Sequence, residues 1–339
     1  MRADGSVSIG MGHVIRCLAL AEMLQGEYEI HFAIMRPDKS VRDVIDEKKI
    51  HLIDLPPSQD FERDAENFIK YISPDDIVVI DGYHFRTSYQ NSIKSLGVKL
   101  VAIDDLPLWH HKADLVINHT LGVSKKDYSV EQYTRLCLGP DYALLRSPFL
   151  IKRDVKIIKG INDILISMGS ADINNNTEKF IRTLVALNDT KRIHLVLGPV
   201  NPHVKSIEKF IDANKHVRIV KHVNLSAGKL SEILQKTDLC ICPASGISQE
   251  SCAVGVGLIA GYTSDNQRVH LQGLVERRLA FSLGDLSAIC DEELIATLKQ
   301  MLGRIKDLNQ MIRNQKKMID GKSADRIRNE IGRLSKVST

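Results

Sequence analysis

Short apolar runs alternate with segments whose apolar positions recur every three to four residues through most of the chain. His13 to Gln25 reads as the first helix, with Val14, Cys17, Leu18, Ala21 and Leu24 on one face. Strands are predicted at Ile30–Met35, Leu52–Leu55, Ile77–Asp81, Lys99–Asp104 and Leu115–Asn118. Helices are predicted between them at Val41–Lys48, Glu62–Tyr71 and Ser88–Ser95. The pattern loosens from Val123 to Lys159, where Leu138-Gly139-Pro140 and Ser147-Pro148 signal loops. It then restarts. Strands are predicted at Ile164–Met168, Arg192–Leu197, Val217–Val220, Leu239–Cys242 and Gly257–Tyr262. Helices are predicted at Asn176–Leu187, His203–Ala213, Ser226–Lys236, Ser248–Val254 and Gln267–Arg277, and from Asp291 onward.

This alternation implies an α/β fold with parallel sheets covered on both faces. The restart implies two Rossmann-like domains facing each other across a cleft. Their expected extents are 1–148 and 149–320, with a closing helix in 321–339 that packs back near the first domain. The first domain carries an anomaly. The polar stretch follows Met1-Arg2-Ala3-Asp4 at once, so an opening strand of the usual ~5 residues reads as cut short. Either the start lies upstream, or the domain lacks much of a central strand.

Charge changes the picture by exclusion. Lys plus Arg is 46 and Asp plus Glu is 42, a net charge of +4 with no concentrated basic block. That argues against a nucleic-acid partner. No apolar run reaches the ~18 residues of a membrane span, and no leader pattern opens the chain, so a cytoplasmic protein is expected. Six cysteines over 339 residues make no disulfide scaffold. Cys240 and Cys242 read as buried thiols on one strand face. His110-His111 diverge as neighbours, and no Cys/His spacing suggests a metal.

The candidate chemistry lies where strands hand over to helices, because the C-terminal ends of parallel strands converge on one crevice. Ile9-Gly10-Met11-Gly12-His13 lets a backbone turn tightly and a ligand approach its N–H groups. Ile15 stands where a dinucleotide fingerprint wants a third glycine, which argues against NAD. His13 sits at a helix N-terminus, which favours a neutral imidazole able to accept a proton. Asp81-Gly82-Tyr83-His84, Asp104-Asp105 and Asn118 end further strands. In the second half Gly169-Ser170-Ala171-Asp172 suits a diphosphate or a well-capped turn. Ser245-Gly246 through Glu250 offers a helix start and an acid for a ribose diol or for the helix dipole. Asp265-Asn266-Gln267 closes another strand end.

Together these residues resemble a known family. Arg2-Ala3-Asp4, Gly10-Met11-Gly12-His13, Arg16-Cys17, Asp81-Gly82-Tyr83, Ile103-Asp104-Asp105 and Tyr142 through Arg146 are similar to UDP-2,4-diacetamido-2,4,6-trideoxy-β-L-altropyranose hydrolases of pseudaminic acid biosynthesis. Gly169 through Asp172, Ser245 through Glu250, Asp265-Asn266-Gln267 and Asp320 through Ala324 continue the resemblance. Spore-coat polysaccharide proteins of glycosyltransferase type are related to that family. The resemblance implies a glycosyltransferase-B fold with UDP held mainly by the second domain. It implies hydrolysis of the UDP-sugar by water with inversion at the anomeric carbon, and neither a cofactor nor a metal.

Carried over residue by residue, the resemblance makes His13 the base or water-orienting group. It places Asp81 and Tyr83 in the sugar pocket, as further catalytic candidates. Gly169, Ser170 and Asp172 would approach the diphosphate, although the family often has a second glycine where Ser170 stands. By similarity to a peptidoglycan transferase, Val223 would offer its main chain to uracil and Glu250 would hold ribose. Asn266 and Gln267 would lie near the pyrophosphate or sugar. Asp4, Gly10, Gly12, Arg16, Asp105, Ser245 and Gly246 complete the expected substrate contacts. The rivals are a glycosyltransferase with the same donor site, a UDP-sugar 2-epimerase and a UDP-sugar binding protein without turnover. The sequence leaves the oligomeric state open, a monomer included.

Overall fold

The structure is a computed structural model that describes residues 1–5, 10–58, 60–187, 192–198 and 201–335. Ile9 of the glycine motif and Pro199 lie outside the described residues. The chain divides into two units, Met1–Ser147 with Lys322–Thr339, and Pro148–Gly321.

In the first unit the order is β1 (Arg2–Ala3), α1 (Gly12–Leu24), β2 (His31–Met35), α2 (Lys39–Glu47), β3 (His51–Leu55), α3 (Phe61–Ile69), β4 (Ile77–Asp81), α4 (Thr87–Lys94) and β5 (Lys99–Ile103). Then come β6 (His110–His111), β7 (Leu115–Asn118), β8 (Ser129–Val130) and β9 (Arg135–Leu138). Seven strands form one sheet in the order β3-β2-β1-β4-β5-β7-β9, with every pairing parallel. The opening strand is therefore present and central. Arg2 pairs with Ala33 and Ile80, and Ala3 with Asp81.

β1 is two residues long, shorter than the usual ~5, and side chains help to anchor it. Fully buried Arg2 donates to Asp4 Oδ2 at 2.7 Å and to both Asp64 oxygens at 3.2 Å, while Tyr89 also donates to Asp64 at 2.8 Å. Burial works against a charged Asp4, but hydrogen bonds from His84 and Arg2 hold its carboxyl well below the usual range. Such a network satisfies charges that would otherwise be costly inside a protein. One side of the sheet packs Ala33, Val78, Ile80 and Leu100 against Phe68 of α3 and Tyr89 and Ile93 of α4.

The second unit runs β10 (Asp163–Ser167), α5 (Asn176–Leu187), β11 (Arg192–Leu197), α6 (Val204–Ala213), β12 (Arg218–Val223), α7 (Ala227–Lys236), β13 (Leu239–Pro243) and α8 (Gly246–Val254). It continues with β14 (Gly257–Tyr262), α9 (Asn266–Glu276), β15 (Phe281–Asp285), α10 (Asp291–Leu302) and α11 (Ile305–Met318). Its six strands are ordered β12-β11-β10-β13-β14-β15, again all parallel. The strands β10, β13 and β14 are almost wholly buried, which suits their runs of Ile, Leu, Cys and Ala. The final helix, α12 (Ser323–Ser335), returns to the first unit and packs on α1. No helix among the described residues is long and apolar enough to cross a membrane.

Both sheets reverse their strand order once, between β1 and β4 and between β10 and β13. Loops at such a reversal point splay apart at the C-terminal edge and leave a crevice for a ligand. His13 and Asp81 flank the first reversal, and Gly169 and Ser245 the second.

Candidate active site

Gly10 takes φ +85°, and the chain enters α1 at Gly12. A Cβ on Gly5 would stand 2.6 Å from Val14 Cγ2, so this turn needs glycine where it meets the helix. The turn sets His13 and, three residues on, Arg16 beside the end of β4. His13 is 9% exposed and Asp81 is fully buried. His13 Nδ1 lies 2.7 Å from Asp81 Oδ1. Arg16 grips the same carboxylate, Nε to Oδ2 at 2.9 Å and Nη2 to Oδ1 at 2.6 Å. Arg16 Nη1 reaches across to Asp105 Oδ2 at 2.7 Å. Tyr83 donates to the same oxygen at 3.3 Å, and its ring meets His13 edge-on with centroids 4.8 Å apart.

These contacts assign the histidine tautomer. Arg16 Nη2 lies 2.9 Å from Nδ1, but a guanidinium only donates, and so does Nδ1 when it serves Asp81. The consistent network has both Nδ1–H and Arg16 donating to Asp81. Nε2 is then the ring atom that carries the lone pair. Burial opposes the ionised form of Asp105, yet the Arg16 charge, with His13 and His119, holds its carboxyl below the usual value. Burial, with the charge of Asp105, drives the Tyr83 phenol upward, so Tyr83 is a donor at neutral pH.

Behind this group lies a second layer. Burial pushes Asp104 up to about 6, although Tyr128 donates to it at 2.8 Å. Asn118 donates to the Tyr128 hydroxyl at 2.7 Å. His111 is buried 3.9 Å from Asp104, too far for a hydrogen bond, and burial lowers it to about 4. His110 points elsewhere, to Ser129 at 2.8 Å and Glu131 at 3.1 Å, so the two adjacent histidines do diverge.

His119 joins the site residues without a sequence motif to mark it. It follows strand β7 and is buried, and its Nδ1 accepts from Leu144 N at 3.1 Å. In the neutral ring the proton therefore sits on Nε2. Its only sequence signal was its place one residue beyond a strand end.

In the second unit the turns are built differently from one another. Gly169 takes φ +88° and has open space where a Cβ would lie. Ser170 is held against Gly198, whose Cβ would strike the Ser170 carbonyl at 2.2 Å. Asp172 accepts from Asn176 N at 2.8 Å and Thr177 N at 2.9 Å. Its carboxylate thus occupies the donors at the start of α5. Asp4 is committed to the protein in the same way, through Arg2 and Met35 N. Each oxygen of both carboxylates therefore already has a protein donor.

The start of α8 is open by contrast. Ser245 is its N-cap residue and makes no side-chain cap bond. Gly12 and Gly246 both have nothing within 4 Å of a Cβ. Glu250 is buried on α8. Val223 ends β12 and is 46% exposed. Gln267 folds back to accept from Thr263 N at 2.9 Å, and Asn266 accepts from Ser264 at 2.5 Å. Among the described residues no cluster of three His, Cys, Asp or Glu could hold a metal.

No known protein-family profile matches the chain. It is 24% identical over 334 residues to the spore coat polysaccharide biosynthesis protein SpsG of Bacillus subtilis, covering 96% of this chain and 95% of that protein. It is 26% identical over 259 residues to the UDP-2,4-diacetamido-2,4,6-trideoxy-beta-L-altropyranose hydrolase of Campylobacter jejuni, covering 74% and 86%. It is 27% identical over 278 residues to protein MJ1062 of Methanocaldococcus jannaschii, covering 78% of this chain but 55% of that protein, so it spans about half of that relative's length. Among solved structures, MurG of Acinetobacter baumannii superposes with a TM-score of 0.70 at 16% identity, covering 98% and 99% of the two chains. The S. aureus MnaA–UDP co-structure gives 0.65 at 15% identity, covering 98% and 95%. At these identities the likeness shows the fold, which is glycosyltransferase-B.

Proposed function

We propose that the chain is a UDP-sugar enzyme that hydrolyses UDP-2,4-diacetamido-2,4,6-trideoxy-β-L-altropyranose, releasing UDP and the free sugar with inversion. The observation that carries this reading is the Arg16–Asp81–His13 chain at the strand-order reversal of the first sheet. It supports an imidazole with Nε2 as its proton acceptor, beside the Tyr83 ring and the hydroxyl that donates to Asp105. The similarity to the Campylobacter hydrolase supports this choice of substrate.

The chemistry follows from these roles. His13 Nε2 takes a proton from water as the water oxygen bonds to the anomeric carbon. The bond from that carbon to the diphosphate oxygen breaks, and its electron pair leaves with UDP. Asp81 accepts from Nδ1–H throughout, so it orients the ring and stabilises the imidazolium that forms. General-base help of this kind is worth ~10²–10⁴-fold. The uncapped start of α8 supports a role in stabilising the diphosphate charge. Glu250 on the same helix is the ribose ligand of this reading, and the Val223 main chain the uracil ligand.

His13→Asn is expected to lower kcat at least ~100-fold with UDP affinity within about threefold. Steady-state UDP release and calorimetry measure the two. An equal loss of UDP affinity would make His13 structural.

A second reading has its own support. The SpsG match extends over nearly both full lengths, and Asp105 is followed by Leu106-Pro107-Leu108-Trp109, with Leu108 68% exposed. An apolar loop beside the sugar residues suits an acceptor, whose hydroxyl would replace water in a glycosyltransferase.

A further inference from the structure

The two carboxylates of the first unit are not equivalent. Every oxygen of Asp81 already has a donor, two from Arg16 and one from His13. Asp105 is lopsided. Its Oδ2 takes Arg16 Nη1 at 2.7 Å and the Tyr83 hydroxyl at 3.3 Å. Its Oδ1 is buried and accepts no hydrogen bond from the described residues. The side chain as a whole is 15% exposed.

An ionised oxygen out of water and without a donor costs free energy, and buried polar atoms are seldom left so. Asp105 remains an anion because Arg16 binds its other oxygen. The same pairing makes it a weak base and a good acceptor for a neutral donor. Tyr83 and Arg16 bind its other oxygen and His13 stands beside Tyr83; the reading above, on which this step rests, puts the sugar's anomeric carbon at His13.

We infer that Asp105 Oδ1 is a specificity-determining acceptor for one O–H or amide N–H of the sugar. Asp81, with protein donors on both oxygens, orients His13, and Asp105 reads the substrate. A sugar lacking that donor leaves the carboxylate buried and unpaired, which is the arrangement that rejects analogues most strongly.

The test measures binding, so that it does not depend on turnover. The free 2,4-diacetamido-2,4,6-trideoxy sugar is titrated by NMR into wild-type protein with saturating UDP. Three analogues follow, each with one donor (the hydroxyl at C3 or either acetamido group) replaced by hydrogen. The same four sugars are titrated into Asp105→Asn. One analogue is expected to bind the wild type ~30–100-fold more weakly than the parent. Asp105→Asn should weaken the parent by a similar factor and that analogue by less than about threefold. Equal weakening of all four sugars by the substitution would overturn the inference. So would a wild type that does not discriminate among the analogues or binds none of the sugars. The wild-type comparison stands even if the variant folds poorly. Sugar binding with this pattern but no UDP-sugar hydrolysis would refute the hydrolase reading and leave the acceptor role of Asp105 intact.

Discussion

Arg16 donates to Asp81 through two nitrogens and to Asp105 through a third, so one side chain sets the orientation of His13 and the charge of Asp105. A lysine has the charge but not the planar fork. Arg16→Lys is expected to lower kcat at least ~30-fold while UDP affinity changes less than about threefold, by UDP release and calorimetry. Asp104 offers a pH test. Its folded value of about 6 lies above the usual 3.8, so between these values the folded state holds a proton that the unfolded state has lost. The group's stabilisation is complete below about pH 4 and disappears as pH rises through 6, a loss on the order of 3 kcal/mol. His111, lowered to about 4, has the opposite slope, gaining stability as pH rises toward 6.5. Asp104→Asn removes the first contribution alone. Urea unfolding should show the variant gaining on the wild type from pH 4 to 7, and parallel pH curves would contradict the assignment. At this scale, residues at predicted strand ends were legible. His119 and Tyr128 were not, because they reach the site through contacts between elements that no local spacing encodes.

Among the elements, periodicity found the long buried strands and the helices that cover them, within a residue or two at most ends. It missed β9, a four-residue edge strand in the stretch from Val123 to Lys159 whose Arg-Leu-Cys-Leu run is only partly buried. It also missed β15, where Gly284 at φ +64° and a register shift against β14 interrupt the pattern. The shortest strand teaches the most. β1 has too few residues for a hydrophobic signal, and a buried cation between two carboxylates anchors it. Arg2→Met would leave Asp4 and Asp64 buried without their partner. A loss of ~3–5 kcal/mol in unfolding free energy is expected from chemical denaturation. A loss below 1 kcal/mol would show that backbone pairing alone holds the strand.

For the whole molecule, the alternation of periods was enough to read two parallel-sheet units, since each sheet repeats the same order reversal and the same helix-after-strand grammar. The glycosyltransferase-B fold follows from that and from the solved structures it matches. Chemistry was less legible than fold. Asp4 and Asp172 were expected at the ligand; in the structure Asp4 accepts from Arg2 and from Met35 N at the end of β2, and Asp172 accepts from the backbone at the start of α5, bonds between elements that no local spacing encodes. The central claim is that His13 delivers water to a UDP-sugar. The most direct test supplies UDP-2,4-diacetamido-2,4,6-trideoxy-β-L-altropyranose without any acceptor and follows UDP and the anomeric proton by NMR in one tube. The account requires UDP release with an inverted free sugar as the first product. UDP-sugar that stays intact until an acceptor alcohol is added, or a first product of retained configuration, would contradict it.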